Sequence, residues 1–376
     1  MYWGLWEIGR MWGLALVVIC SAIGPIILQG AAEKGYYWTS VYIGTPQVRR
    51  ELVVDTGSAL TSLACEPCAS CRSHTNPPFN PLFSTSVTHP PCSSLHCTAC
   101  HSDQCHFTQQ FAEGSEARGV YIQDLFALEA GNETFRLSFG CHGQETEQLK
   151  GQGVDGVMGL AVAGQASNSS LLDAMKETGV ISTLKFSICL GMEGGLLVFG
   201  GSSRAARNGQ RIRLRGETHY EVQFLAITVG ASPPLPTPIP LATLLDSGTT
   251  FVYFPDPLHS LVRTYFHRAC EGHCGQPLTP SDEIHPCYEH TQGTIEEFWG
   301  NFPVLRLQLE EEWVDWEPQA YMYSRGGGLY CLGIYPSGGV ETVLGSLFMR
   351  LREITFDRVQ SRLTIYSSRC EIPSSD

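Results

Sequence analysis

Leu52-Val53-Val54-Asp55-Thr56-Gly57-Ser58 runs an apolar, β-branched stretch straight into an acid, a hydroxyl, a glycine and a second hydroxyl. Apolar runs of this kind form buried strands. Asp55 therefore falls where a buried strand breaks into a turn, and Gly57 supplies the freedom that turn needs. A carboxylate in that place is costly unless hydrogen-bonded, and Thr56 and Ser58 are local donors for it.

The device occurs twice. Leu244-Leu245-Asp246-Ser247-Gly248-Thr249-Thr250 again gives an apolar pair, an acid, a hydroxyl, a glycine and a hydroxyl. One Asp-Thr-Gly is weak evidence, because any Asp-Gly turn produces it. Two copies 191 positions apart, each behind an apolar strand, are strong evidence. Each is also followed by two apolar residues and a glycine. Val157-Met158-Gly159 ends 104 positions after Asp55, and Val343-Leu344-Gly345 ends 99 after Asp246. The chain reads as an internal duplication that builds two related lobes.

This pattern resembles the pepsin-like aspartic proteases, and the resemblance runs from Gly35 to Cys370. It implies an all-β fold with a few short helices, in which two pseudo-symmetric lobes flank a cleft. Each lobe gives the cleft one acid, Asp55 or Asp246, and an apolar-apolar-Gly segment crosses beneath each acid-bearing loop. Two carboxylates held face to face cannot comfortably both ionise and share one proton. One can take a proton from a bound water while the other gives one to the scissile carbonyl oxygen. No cofactor, metal or covalent intermediate is needed. Thr56 and Ser247 are expected to brace the loops through hydroxyl–backbone bonds, with Gly57 and Gly248 in the turns. Ser58 and Thr249 are expected to bond the outer carboxylate oxygens, and Thr250 to touch substrate.

Apolar residues make up 43% of the 376 and charged ones 16%, so a large core is available and disorder is disfavoured. The length suits two lobes. With 24 basic and 37 acidic residues the net charge is -13, which argues against nucleic acid as a partner. Polypeptide substrates are the expected partners, and a monomer the expected state. Trp12 to Ala32 is almost free of charge and ends in Gly30-Ala31-Ala32, small residues suited to signal cleavage. Glu7 and Arg10 upstream leave no positive excess. Residues 1–32 are thus read as a signal peptide or a signal anchor, 33–203 as the N-terminal lobe and 210–371 as the C-terminal lobe. No later stretch is long and apolar enough to serve as a C-terminal membrane anchor.

Cys20 lies in the targeting segment, and fourteen of the fifteen cysteines remain. An even number behind a signal sequence favours disulfides and the secretory pathway, either the endoplasmic reticulum or outside the cell. Asn132-Glu133-Thr134 and Asn168-Ser169-Ser170 are glycosylation sequons that fit that compartment. Residues 65–105 form an insertion holding Cys65, Cys68, Cys71, Cys92, Cys97, Cys100 and Cys105. Cys68-x2-Cys71 and Cys97-x2-Cys100, with His96, His101 and His106 close by, also have the spacing of a zinc site. Closely spaced thiols oxidise in that compartment, so disulfides are preferred and no metal is assigned. Cys141 completes a set of eight in this lobe, whose pairing the sequence leaves open. Cys270, Cys274, Cys287 and Cys331 are an even set in the second lobe. By resemblance to the family, Cys189 pairs with Cys370 and Cys287 with Cys331.

Gln109 to Asp124 is predicted as a β-hairpin with Glu113-Gly114-Ser115 at its tip. In the resembled family this hairpin is a flap over the substrate and carries a tyrosine. Phe111 stands at that position here, which removes a hydroxyl. Cys65-Glu66-Pro67-Cys68-Ala69-Ser70-Cys71 and Pro91-Cys92-Ser93-Ser94 resemble the nepenthesin type of plant protease. Asn76-Pro77-Pro78-Phe79-Asn80 and Phe139-Gly140-Cys141-His142 look more like the plasmepsin V type, secretory-pathway proteases that cut after leucine in Arg-x-Leu. On that resemblance Glu113 and Gln152 are candidate contacts for a substrate arginine. The plainer reading of Glu113 is a solvated acid in a turn.

Ser170 to Val180 and Pro257 to His267 are predicted as helices, and Pro233 to Pro240 as a proline-rich turn. There is no Gly-x-Ser-x-Gly elbow and no His-Glu-x-x-His. The expected function is an aspartic endopeptidase of the secretory pathway that prefers Arg-x-Leu. The alternatives are a broad nepenthesin-like acid protease and a catalytically silent pepsin-like binding protein. The second usually lacks an Asp or a neighbouring hydroxyl, and both loops here are complete.

Overall fold

The computed structural model describes residues 23–30, 35–71, 74–94, 97, 99–111, 114–129, 133–146, 153–163, 170–202, 209–278 and 285–372. In chain order the first half gives β1 (Ile26–Gly30), β2 (Tyr37–Ile43), β3 (Val48–Asp55), β4 (Ser62–Ala64), β5 (Ala99–His101) and β6 (Gln104–Gln110). It continues with β7 (Glu116–Ala127), β8 (Phe135–Glu145), β9 (Gly156–Gly159), α1 (Leu171–Glu177), β10 (Lys185–Gly191) and β11 (Gly194–Phe199). The second half gives β12 (Gln210–Arg213), β13 (Glu221–Val229), β14 (Leu235–Leu245), β15 (Val252–Phe254), α2 (Leu258–Cys270), β16 (Cys287–Glu289) and α3 (Ile295–Gly300). Then follow β17 (Leu305–Leu309), β18 (Glu312–Trp316), α4 (Pro318–Tyr321), β19 (Met322–Ser324), β20 (Leu329–Leu332) and β21 (Ile334–Pro336). The chain ends with β22 (Thr342–Leu344), α5 (Ser346–Met349), β23 (Arg352–Asp357) and β24 (Arg362–Ser367). The fold is mainly β with short helices.

The duplication is visible in the strand order. The first half contains the run β3-β9-β4-β8, and the second contains β14-β22-β15-β21. Directions match as well. β3 is parallel to β9 as β14 is to β22, while β4 runs against β9 as β15 does against β22. The largest sheet itself joins the halves, because β23 of the second half pairs in it with β10 of the first. Phe186 stacks on Phe356 at 4.7 Å between ring centres, and Tyr220 packs against both. β3 is buried over its last six residues, as a central strand covered on both faces should be.

Two sequence expectations differ from the structure. Ile26–Gly30, the end of the stretch read as a targeting segment, is a strand of the fold. β1 pairs with β11 on one side and β2 on the other, and its alternate residues Ile26 and Leu28 are buried. The apolarity that suits a signal also suits a sheet strand, and five residues cannot tell the two apart. Pro233 to Pro240, a proline-rich turn by its sequence, lies mostly in β14. The strand tolerates its prolines because β13 shifts register between Phe224 and Ala226, and β22 pairs with β14 only from Thr243 onward.

Seven disulfides use all fourteen of the cysteines after Cys20. They are Cys65–Cys141, Cys68–Cys71, Cys92–Cys100, Cys97–Cys105, Cys189–Cys370, Cys270–Cys274 and Cys287–Cys331. Cys189–Cys370 closes a loop of 181 positions and ties the chain end to β10. α1 starts on a capping box in which Ser170 and Asp173 satisfy each other's backbone amides. Among the described residues no helix is long and apolar enough to cross a membrane.

Candidate active site

β3 ends on Asp55, and β14 runs directly into Asp246. Both carboxylates are buried, at 6% and 8% exposure. Their own loops hold them. Asp55 Oδ1 accepts from the amides of Gly57 at 2.8 Å and Ser58 at 3.2 Å, and the Ser58 side chain also bonds the carboxylate. Asp246 Oδ1 accepts from the Gly248 amide at 2.9 Å, and Thr249 Oγ1 donates to Oδ2 at 2.5 Å. The two loops are thus bonded alike.

The glycines show how close the lobes come. A Cβ on Gly57 would sit 2.6 Å from Asp246 Cγ, and one on Gly248 would sit 2.6 Å from Asp55 Cγ. Each acid lies against the glycine of the opposite loop, and no larger residue fits there. The two carboxyls also hydrogen-bond each other. Burial first, and the neighbouring Asp246 charge second, push the Asp55 carboxyl well above the usual carboxylate range. Such a pair keeps one proton at pH values where isolated carboxyls have lost theirs.

The apolar-apolar-Gly segments lie beside the acid-bearing strands. Asp55 pairs with Gly159 in β9, and the Leu160 amide donates to the Asp55 carbonyl at 2.8 Å. In the second half the Asp246 amide donates to the Leu344 carbonyl at 3.1 Å, and the Ser346 amide to Thr249 at 2.7 Å. Thr250 Oγ1 and Ser346 Oγ both donate to the Gly35 carbonyl, at 2.9 and 3.1 Å, so the chain before β2 is pinned to the opposite lobe.

A cleft of about 510 Å³ opens over Asp55 and is lined by Tyr36, Phe111, Val157, Thr250, Phe251 and Tyr253, among others. β6 and β7 form the predicted hairpin, longer at its base than expected, and the Phe111 amide closes its turn by donating to the Ser115 carbonyl at 2.9 Å. Gly114 takes a positive φ of 89° at the tip, which glycine permits. The structure therefore brings Asp55, Asp246, Thr56, Gly57, Ser58, Ser247, Gly248 and Thr249 together, with Phe111 and Thr250 in the cleft wall. Glu113, Gln152, His96, Asn132 and Asn168 lie outside the described residues. The Cys68–Cys71 pairing, with Cys97 and Cys100 bonded to other partners, takes up the thiols that a zinc site would need.

Several residues that support the site escaped the sequence reading. Asp155, 2% exposed, accepts from the Glu51 amide at 2.7 Å and from the Asn76 amide and side chain at 2.8 and 2.7 Å. It ties the insertion to the strand that carries Asp55. His74 and His142 converge on Glu145 Oε1, at 3.1 and 2.7 Å. The acid just before Gly156 and the His142-x2-Glu145 spacing after Cys141 were the available signals. Glu341 also lines the cleft, with only its place before Val343 to mark it.

Residues 37–201 match the family described as xylanase inhibitor N-terminal, and residues 219–367 the one described as xylanase inhibitor C-terminal. Together they cover both acid-bearing loops. The chain belongs to the pepsin-like aspartic proteases. It is 26% identical to Aspartic protease 5 of Toxoplasma gondii across 89% of this chain and 36% of that protein. It is 21% identical to plasmepsin V of Plasmodium falciparum across 90% of this chain and 72% of the other. Nepenthesin-2 of Nepenthes gracilis is 24% identical over 90% of this chain and 79% of its own length. The chain thus spans about a third of the Toxoplasma protein, and most of the others.

Proposed function

We propose that the protein is an aspartic endopeptidase of the secretory pathway that prefers Arg-x-Leu sites. The observation that carries the hydrolytic reading is the buried, mutually bonded pair Asp55 and Asp246 at the base of a cleft beneath a hairpin. With one proton on the pair, the ionised carboxylate removes a proton from a water held between them. The resulting hydroxide attacks the scissile carbonyl carbon, while the protonated carboxyl gives its proton to the carbonyl oxygen. Collapse of this diol breaks the C–N bond: the nitrogen takes a proton from the carboxyl that first received one, one diol hydroxyl returns its proton to the other carboxylate as it becomes the product carbonyl, and the pair ends in its starting state. Intact loop hydroxyls favour an enzyme over a silent binding protein. The seven disulfides suit an oxidising compartment.

The Arg-x-Leu preference rests on the likeness of the Asn76–Asn80 and Phe139–His142 stretches to plasmepsin V, with Glu113 and Gln152 as arginine contacts. Quenched peptides carrying Arg-x-Leu, Lys-x-Leu and Ala-x-Leu test it. The arginine peptide should be cut fastest, Glu113→Ala should erase that advantage, and Asp55→Ala or Asp246→Ala should abolish all turnover without unfolding the chain. Equal cleavage of the three would support the broad nepenthesin-like reading instead.

A further inference from the structure

The cleft holds an acid that the reaction does not use. Glu341 lines it from the C-terminal lobe together with Ser337, Phe251 and Tyr253. It stands two residues before Val343, which pairs with Tyr253 between β22 and β15 and lines the same cleft. Alternation along the chain puts Glu341 and Val343 on one face. Glu341 is exposed, and among the described residues nothing engages its carboxylate. No described Lys or Arg lines the cleft, while Tyr36, Phe111, Phe251 and Tyr253 present aromatic surface to it. A carboxylate beside aromatic faces attracts an ammonium or guanidinium and repels another carboxylate.

We propose that Glu341 is a specificity residue that reads a basic side chain at the middle position of Arg-x-Leu. This deepens the proposed function and takes its register from it. A peptide bound in a cleft between two lobes lies extended, and its successive side chains face opposite walls. Arg and Leu, two positions apart, share the wall of the flap and Val157. The residue between them then faces the C-terminal lobe, where Glu341 stands. A lysine or arginine there gains a charge partner, and a glutamate meets repulsion.

The test uses the full chain and three quenched peptides, Arg-Lys-Leu, Arg-Gln-Leu and Arg-Glu-Leu in one flanking sequence. Wild-type protein should prefer Lys over Gln by about fivefold in kcat/KM, the upper end for a partly solvated pair, and disfavour Glu further. Glu341→Gln should level Lys and Gln, and Glu341→Lys should favour Glu. Neither should change the Arg-to-Ala ratio at the first position. Binding of the same three sequences with a non-cleavable statine in place of the scissile bond reads the preference even without turnover. Equal treatment of the three by wild type, or a Lys preference that survives Glu341→Gln, overturns the proposal. Loss of first-position Arg preference with the Lys preference intact instead overturns the Arg-x-Leu reading alone.

Discussion

Thr56 and Ser247 hold each other across the boundary between the lobes. The Thr56 amide donates to Ser247 Oγ at 3.0 Å, and the Ser247 amide donates to Thr56 Oγ1 at 2.9 Å. Each hydroxyl then donates to the opposite strand, Thr56 to the Leu245 carbonyl at 2.9 Å and Ser247 to the Val54 carbonyl at 2.6 Å. Thr56 is fully buried and Ser247 nearly so. These four bonds fix the spacing of the two acids.

Removing either hydroxyl leaves a buried amide and a buried carbonyl unpaired, at about 1–3 kcal/mol for each group. Thr56→Val and Ser247→Ala should each lower unfolding free energy by about 2–6 kcal/mol and slow hydrolysis. The double variant should lose less than the two singles together, because one network is broken twice. Denaturant midpoints of the four proteins measure this, and strict additivity would show that the hydroxyls act separately.

The proton on the acid pair gives a pH-dependent stability effect. Asp55's folded-state pKa lies above its unfolded value of about 3.9, so over the range between them the folded protein holds a proton that the unfolded chain has released. Stability is therefore greatest below the unfolded value and falls as the pH rises through the folded one. Asp55→Asn removes that cost. It should abolish hydrolysis and raise the unfolding temperature at pH 7, with the gain shrinking toward pH 4. A gain of the same size at both pH values would contradict this account.

The acid pair and its lobes were legible in the sequence because duplication supplies an internal control: two matching loops, each with its apolar-apolar-Gly partner. The disulfide pairs of the insertion were not legible, since neighbouring cysteines offer many pairings and only the fold chooses among them. Cys97 bonds Cys105 and not the adjacent Cys100. Asp155 and Glu145 were missed for a related reason. Their partners, Asn76 and His74, lie about 70 to 80 positions away, and a lone acid carries no mark of a distant donor.

His74, His142 and Glu145 join the insertion to β8 near the tip of the flap hairpin, where Glu145 pairs with Ala117 of β7. Burial alone would raise the Glu145 carboxyl, but the His142 hydrogen bond and the His74 imidazole 3.1 Å away outweigh it and hold it at about 2. Burial alone would lower His74, but Glu145 outweighs it and holds His74 up. The Glu145 contribution is present above its unfolded value of about 4.3 and is lost as the pH falls through about 2. The His74 contribution is present below about 6.5 and is lost as the pH rises through its raised folded value. Both act fully between about pH 4.3 and 6.5. Glu145→Gln should cost about 3 kcal/mol within that window and less above it. Thermal unfolding at pH 5.5 and 8.5 reads the difference, and a loss equal at both would show that charge on His74 plays no part.

β1 sets where the N-terminal segment can be cut. Ile26 and Leu28 are buried between β11 and β2, and burial of two such side chains contributes about 1.5–3 kcal/mol each. Removing the strand would also strip hydrogen-bond partners from the facing edges of β2 and β11. Cleavage at Gly30-Ala31-Ala32 would discard all of this, although the small residues there suit a signal peptidase. The folded protein should therefore begin at or before Pro25, or keep its apolar N-terminus as an anchor. Mass spectrometry of the N-terminal peptide from protein expressed in a eukaryotic secretory system decides this. An expressed form starting at Tyr36 should be recovered in lower soluble yield and unfold at lower temperature than one starting at Gly24. Equal stability of the two, or a native N-terminus beyond Gly30, would show that β1 is dispensable to the fold.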